Sequence, residues 1–293
     1  MEILRNEPMS RHTSFRIGGP VAELWLPQAK DELADAITTL RARDIEPLII
    51  GNGSNLLFPD EPTDTIAIKT VPAISSLRQY DETVVYAAAG VTLARLATYA
   101  ADHAMSGLEF AHGIPASVGG AIFMNAGAYG GEVGNLVRSV DVLTADGELA
   151  TMKREDCDFS YRHSAFHDNG AVVLSAVFDL SLGDETEIRE RMRTLSEQRR
   201  EKQPLDLPSA GSAFKRPPPK NGESQYAAAM IDACGLKGYC VGGAAVSEKH
   251  AGFVVNLGGA TCNDVLRLLE HMQTVVFREC GVELETEIRV VRG

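Results

Sequence analysis

Leu33, Ile37 and Leu40 recur at helical spacing through AKDELADAITTLRARD, which predicts an amphipathic helix with Asp31 as its cap. The following EPLIIGNGSN predicts a short buried strand that opens into a turn of Gly, Asn and Ser. TDTIAIK and TVVYAAAGV read as strands, and TLARLATYAADHAM as a helix that Thr92 can cap. SVDVLTADGELATM predicts two strands joined at the hairpin signal Asp146-Gly147. AVVLSAVFDLSLG predicts a further strand, and DETEIRERMRTLSEQRREKQP a charged helix stopped by Pro204. LDLPSAGSAFKRPPPKNGES is proline-rich and without periodicity, marking a boundary or a functional loop. Beyond it come a helix at AAAMIDACG, a Gly-rich turn at GGAAVSEKHAG, a strand at FVVNL, a helix at CNDVLRLLEHMQTVVFRECG and a last strand, LETEIRVV. The sum is α+β in more than one domain.

The length of 293 residues agrees with that division, being near the limit for one core. With 44% hydrophobic and 23% charged residues, the chain has the composition of a soluble folded protein. The net charge of −12 argues against nucleic acid or an anionic membrane as partner, but leaves room for a small anionic substrate met by local cations. No apolar stretch approaches the ~18 residues that would span a bilayer, and the N-terminus lacks the pattern of a signal peptide. The five cysteines are odd in number and form no C-x-x-C pair, so scattered buried thiols in a reducing cytoplasm are expected.

One stretch fits none of the regular elements. GIPASVGGAIFMNAGAYGG, from Gly113 to Gly131, carries six glycines and four alanines. Bare backbone of this kind lets main-chain N–H groups line up on a phosphate or pyrophosphate, with Pro115 placed to begin a helical turn and Gly119-Gly120 open to a ligand. GNGSN, Gly51 to Asn55, is a second candidate, where Ser54 and Asn55 add side-chain donors. Neither is a G-x-G-x-x-G fingerprint, because Leu56 stands at the third glycine, and no G-x-x-x-x-G-K-[ST] loop occurs. Close packing of elements explains such glycines equally well.

RHTSFRIGGP and SYRHSAF are dense in polar groups where no helix or strand requires them. With GNGSNLL, GIPASVGGAIFMNAGAYG, AGSAFKRP and VELETEIRVV they form an ordered set that closely resembles the bacterial UDP-N-acetylenolpyruvoylglucosamine reductases (UDP-N-acetylmuramate dehydrogenases) from about Thr13 to Val291. The short connection after AGAYGGEVG resembles the compact subtype. The resemblance implies a two-part FAD-binding domain of the vanillyl-alcohol oxidase type, residues 1–72 and 73–203, and a smaller α+β substrate-binding domain, residues 204–293. It implies non-covalent FAD held by Gly51, Asn52, Gly53, Ser54, Asn55, Gly113, Ile114, Pro115, Ser117, Gly119, Gly120, Asn125, Gly127, Ala128 and Tyr129.

The reaction so implied belongs to peptidoglycan precursor synthesis. NADPH reduces the flavin, which then passes hydride to C3 of an enolpyruvyl sugar nucleotide, and C2 receives a proton. Charge that builds on C2 and its carboxylate requires a cation and a proton donor. By resemblance Ser212 is that donor, while Arg162 and Glu287 stabilise the enolate. From the residues alone, Ser212 is an ordinary turn serine, Arg162 a surface arginine, and strand alternation sends Glu285, Glu287 and Arg289 to solvent. Glu287 fits either as a protonated donor or as a carboxylate that orients Arg162. The UDP-sugar diphosphate and carboxylate suit Lys215, Arg216, Lys237 and His250, with Lys220 and Lys249 as further cations and Tyr226 to cap the uridine or help close the site. Arg216 stands where many relatives carry Asn. Lys215, three residues after Ser212, can lend its field to the serine. His163 and His167 lie four apart but lack a third ligand nearby, so no metal is expected. A cytoplasmic monomer is expected. Two rivals stand beside this reading: another flavin oxidoreductase, reduced by its own substrate, and a non-catalytic sugar-nucleotide binder.

Overall fold

Apolar periodicity produces most of the helices. In a computed structural model that describes residues 1–220 and 222–292, six α-helices are present among the described residues. They are α1 (Lys30–Arg41), α2 (Leu93–Asp102), α3 (Val118–Phe123), α4 (Glu185–Lys202), α5 (Ala227–Ala233) and α6 (Cys262–Cys280). The chain forms two compact units, and three of the five divisions fall inside strands, with the others in the turn at Asn52-Gly53 and inside α4. Met1–Leu4, Glu23–Asn52 and Ile66–Arg199 make the first; Arg5–Ala22, Gly53–Thr65 and Arg200–Gly293 make the second.

The first unit is built on a five-stranded antiparallel sheet. Its strands are ordered Leu149–Lys153, Val137–Leu143, Val172–Asp179, Val84–Ala88 and Leu77–Asp81. Val172–Asp179 has a near-continuous apolar face pair, as a central strand should, and only Val177 and Asp179 are less than buried. α1 buries Leu33, Ala36, Ile37 and Leu40, and α2 buries Leu93, Leu96, Ala97, Ala100 and Ala101, all in one core with the sheet. Strand Leu48–Ile50 pairs in parallel with residues 67–69, so that Gly51 leaves the end of a strand. Thr92 caps α2 as expected, its side chain accepting the Arg95 N–H. Asp31 does not cap α1. The chain turns helical at Lys30, which leaves Asp31 inside the first turn, and Glu32 reaches back to the Gln28 N–H at 2.8 Å instead. The hairpin at Asp146-Gly147 forms, with a longer loop in which the Thr144 N–H bonds the Glu148 carbonyl and Gly147 takes φ +82°.

The second unit holds a four-stranded antiparallel sheet, Ser209–Ser212, Phe253–Asn256, Ala244–Val246 and Cys240–Val241, in that order. α6 lays Val265, Leu268, Leu269, Met272, Val275 and Val276 on this core together with Phe15, Ile17 and Leu57. At the start of α6, Thr261 and Asp264 cap one another's backbone reciprocally. The Asp60 carboxylate takes the next two N–H groups, of Cys262 at 2.7 Å and Asn263 at 3.2 Å. The expected last strand is shortened to Arg289–Val290, which pairs in parallel with Leu56–Leu57. Not every thiol is buried as expected: Cys157 and Cys262 are, Cys240 is exposed, and Cys234 and Cys280 are intermediate. Burial pushes the Cys157 and Cys262 thiols up to about 11. No helix among the described residues is long and apolar enough to cross a membrane.

Candidate active site

In the first unit the glycine stretch is tied down along its whole length. Pro115 does not start a helix. The extended link Ala116–Ser117 pairs across to Thr92, the Leu93 N–H bonding the Ala116 carbonyl at 2.9 Å, and helix α3 begins only after Ser117. Ser117 is the cap, its hydroxyl accepting the Gly120 N–H at 3.3 Å. Asn52 donates from its amide to the Pro115 carbonyl at 2.9 Å, which joins the two glycine-rich segments inside this unit. Close approach accounts for several glycines. A β-carbon on Gly51 would strike the Ser117 hydroxyl, and one on Gly127 would stand 2.6 Å from the Gly131 carbonyl oxygen. Gly119 is less tight, at 3.1 Å from the Ala89 side chain. Ile114 and Gly120 remain partly open to solvent, and Ala128 and Tyr129 sit in a two-strand turn where Tyr129 is 45% exposed.

Asn125 has a different position from its neighbours. It is 1% exposed with φ +41°, and its amide is spent on the chain. The amide nitrogen donates to the Ser160 carbonyl at 2.8 Å and to Glu132 at 3.2 Å, while its oxygen accepts the Gly134 N–H at 2.9 Å. Two loops are thereby stitched together, 125–134 and 158–163. Asn125→Ala is expected to lower unfolding free energy by about 1–3 kcal/mol, because the buried Gly134 N–H and the more open Ser160 carbonyl lose their partner. Urea unfolding checks this, and a change below about 1 kcal/mol would mean the loops are held by other contacts.

Arg162 sits on the second of those loops. Ser160 and His163 exchange backbone hydrogen bonds at 3.1 and 3.2 Å, so Tyr161 and Arg162 form the tip of a tight turn. Arg162 takes φ +58°, a left-handed conformation that L-residues rarely adopt. Its guanidinium reaches the Gly127 carbonyl at 3.4 Å from both terminal nitrogens and lies 5.2 Å from the Tyr161 ring centre. Below it, buried Ser164 donates to the Phe123 carbonyl at 2.7 Å. The His163 and His167 rings stack at 5.1 Å, with Phe123 against His167.

In the second unit Ser212 and Glu287 converge. Ser212 ends a strand that is irregular between Ser209 and Ser212, with Gly211 at φ +81°. The next residue, Ala213, accepts the Glu287 N–H at 2.8 Å, and Asn55 donates to the Glu287 carbonyl at 3.1 Å. The Ser212 hydroxyl makes no hydrogen bond among the described residues. Glu287 is only partly exposed, so the simple alternation that sends it to solvent does not hold. The strand has given way there to a single bridge between Phe214 and Thr286. Lys215 pairs with Glu285 at 2.5 Å and so spends its charge locally rather than on the serine. Lys237 pairs with Asp232 at 2.7 Å, and the Arg216 guanidinium stands 5.2 Å from the Tyr226 ring, which is 55% exposed. Lys249 donates to the Arg200 carbonyl at 2.6 Å. His250 accepts the Gly252 N–H at 3.2 Å, and burial with the charge of Lys237 pushes its imidazole below its ordinary value.

The residues present fit a dinucleotide cofactor. Gly53 has φ +64° and lies so close to the His12 carbonyl that a β-carbon would clash. The backbone N–H groups of Gly53, Ser54 and Asn55 find no acceptor among the described residues. Successive N–H groups of this kind form a nest for an anion. Glu132 and Ser164, which hold the two loops of the first unit, escape sequence reasoning. Their only signal is a position beside the glycine stretch and inside SYRHSAF.

Comparison with known proteins agrees. Residues 22–153 match the family model described as FAD binding domain. Residues 203–291 match that of UDP-N-acetylenolpyruvoylglucosamine reductase, C-terminal domain. The reductase of that name from Caldanaerobacter subterraneus subsp. tengcongensis is 46% identical, over 98% of this chain and 92% of the relative. That of Syntrophomonas wolfei is 44% identical over 98% and 94%. The crystal structure of the Thermus caldophilus reductase superposes with a TM-score of 0.80 at 36% identity, over 99% of this chain and 98% of that one. The chain therefore belongs to the UDP-N-acetylenolpyruvoylglucosamine reductase family of FAD-dependent oxidoreductases, with an FAD-binding domain and a smaller α+β C-terminal domain.

Proposed function

We propose that this chain uses NADPH to reduce the enolpyruvyl group of UDP-N-acetylglucosamine enolpyruvate to the lactyl ether, giving UDP-N-acetylmuramate for peptidoglycan synthesis. Bound FAD would supply the two-electron chemistry, taking hydride from the nicotinamide and giving it to carbon. Gly51 to Asn55 and the stretch from Gly113 to Tyr129 hold it, in a two-part domain of residues 1–72 and 73–203, and residues 204–293 bind the sugar nucleotide.

The observation that carries this reading is the pairing of Ser212 and Glu287 on adjacent backbone in the second unit, with the serine hydroxyl unspent. Ser212 gives its proton to C2. An alcohol is a weak acid, so it serves only a strongly basic carbon centre. Arg162 offers a planar, permanently charged fork to the substrate carboxylate, and Glu287 completes the stabilisation of the enolate. Lys215, Arg216, Tyr226, Lys237 and His250 receive the sugar nucleotide. Lys215 and Lys237 leave Glu285 and Asp232 to do so, exchanges of exposed ion pairs that cost little.

A colour assay tests the proposal. Purified protein should be yellow, bleach with NADPH under anaerobic conditions, and regain colour when the enolpyruvyl sugar nucleotide is added. Protein that stays colourless after reconstitution with FAD, or that bleaches but is not reoxidised by that substrate, would overturn it.

A further inference from the structure

Two helix ends in the second unit share one sequence feature, a cysteine followed by a glycine that turns the chain left-handed. Cys234 directly follows α5, with Gly235 at φ +69°, and Cys280 is the last residue of α6, with Gly281 at φ +66°. Neither cysteine has a part in the chemistry proposed above. Both are partly exposed and pack on the core of this unit, where α5 lies against α6. The two thiols meet there, the Cys280 side chain sharing a hydrogen bond with that of Cys234. Burial, and then this contact, hold the Cys234 thiol above its ordinary pKa; Glu279 adds to the effect and Arg278 opposes it. Cys234 therefore rests as a thiol at neutral pH.

The other cysteines are placed differently. Cys157 belongs to the first unit, and the exposed Cys240 directs its thiol to the Gly238 carbonyl at 3.1 Å. Cys262 starts α6, about 27 Å along the helix axis from Cys280. Space beside the paired thiols is open, since a β-carbon on Gly235 or Gly281 would meet nothing within 4 Å. A small oxidant can therefore reach them.

We propose that Cys234 and Cys280 are an oxidisable pair, which a peroxide converts into a disulfide that ties the end of α5 to the end of α6. One sulfur attacks a peroxide oxygen as its thiolate, the O–O bond breaks, and the departing hydroxide takes up the thiol proton as water, leaving a sulfenic acid. The second thiolate attacks that sulfur, the S–S bond forms as the S–O bond breaks, and the hydroxide leaves with the second thiol proton as water. The two sulfurs together lose two electrons, which the peroxide gains. Helix α5 has only seven residues, and a helix so short holds itself together poorly, so a covalent tie at its end steadies it.

The test needs no turnover and so stands apart from the proposed activity. Full-length protein, reduced and freed of reductant, is treated with hydrogen peroxide, alkylated after denaturation and mapped by mass spectrometry without reduction. A peptide linking Cys234 to Cys280, lighter by two hydrogens and released by dithiothreitol, should be the main product. Amide hydrogens of Ala227–Ala233 should exchange about tenfold more slowly after oxidation. Cys234→Ser and Cys280→Ser should each abolish both effects and leave the remaining thiol as a sulfenic acid that dimedone traps. Mapping of the parent protein decides the matter even where a variant fails to fold. The inference is overturned if both cysteines stay fully open to alkylation at a dose that oxidises Cys240. A disulfide to any other cysteine, or a link between these two without slower exchange in α5, would overturn it as well.

Discussion

Ser212→Ala is expected to slow reoxidation by the enolpyruvyl sugar nucleotide about 10²–10⁴-fold, the usual contribution of a positioned proton donor. Bleaching by NADPH should stay within about threefold of the parent, because the proton donation proposed for the serine belongs to the other half of the cycle. The two rates are separated by anaerobic stopped-flow absorbance. Structure makes the variant a clean one. The Ser212 hydroxyl bonds nothing among the described residues, so its removal leaves no protein group unsatisfied. The strand around it is fixed by backbone contacts that alanine keeps, among them the Ala213 N–H to the Gly252 carbonyl at 2.8 Å. Equal loss in both half-reactions would mean that the serine shapes the site rather than feeding it a proton.

Arg162→Gly should divide stability from activity. Arginine at φ +58° is strained, by about 1–2 kcal/mol, at a turn position where glycine is the natural occupant. Glycine restores the backbone preference at some cost in unfolded-chain entropy. Against that relief stand the contacts of the side chain, among them two long ones to the Gly127 carbonyl and a ring contact with Tyr161. The two effects oppose each other, so the melting temperature should stay within a few degrees of the parent. Turnover of the enolpyruvyl substrate should drop about 10³-fold, as when a transition-state charge loses its partner. Differential scanning calorimetry and steady-state kinetics measure the pair. A less stable protein that keeps its turnover would remove Arg162 from the chemistry and leave it a structural role. Strain held at one residue is what a fold tolerates when the side chain is needed elsewhere.

Much of this was visible in the chain before any coordinates. Helices α1, α2 and α6 announce themselves through spacing of Leu, Ile, Val and Met, and strand Thr63–Lys69 coincides with its predicted span. Caps were less visible. Asp31 has the right chemistry two positions too late, because the cap position falls on Ala29, and the Thr261 and Asp264 pair escaped notice although it needs no neighbour to form. The site was legible as an ordered set of motifs, not as physics. Alternation sent Glu287 outward because it assumes a continuous strand, and the strand stops at a single bridge. Nothing in SYRHSAF shows that Arg162 crests a left-handed turn, because that depends on Ser160 and His163 meeting in space.

The carboxylate of Asp60, seated on the first turn of α6, has a further consequence. A nineteen-residue helix would otherwise present a ready landing place for stray phosphate or nucleotide, and here the protein has filled it with its own negative group. The C-terminal domain thus has one fewer decoy, and on the function proposed above a sugar nucleotide arriving there would be left to the side-chain cations.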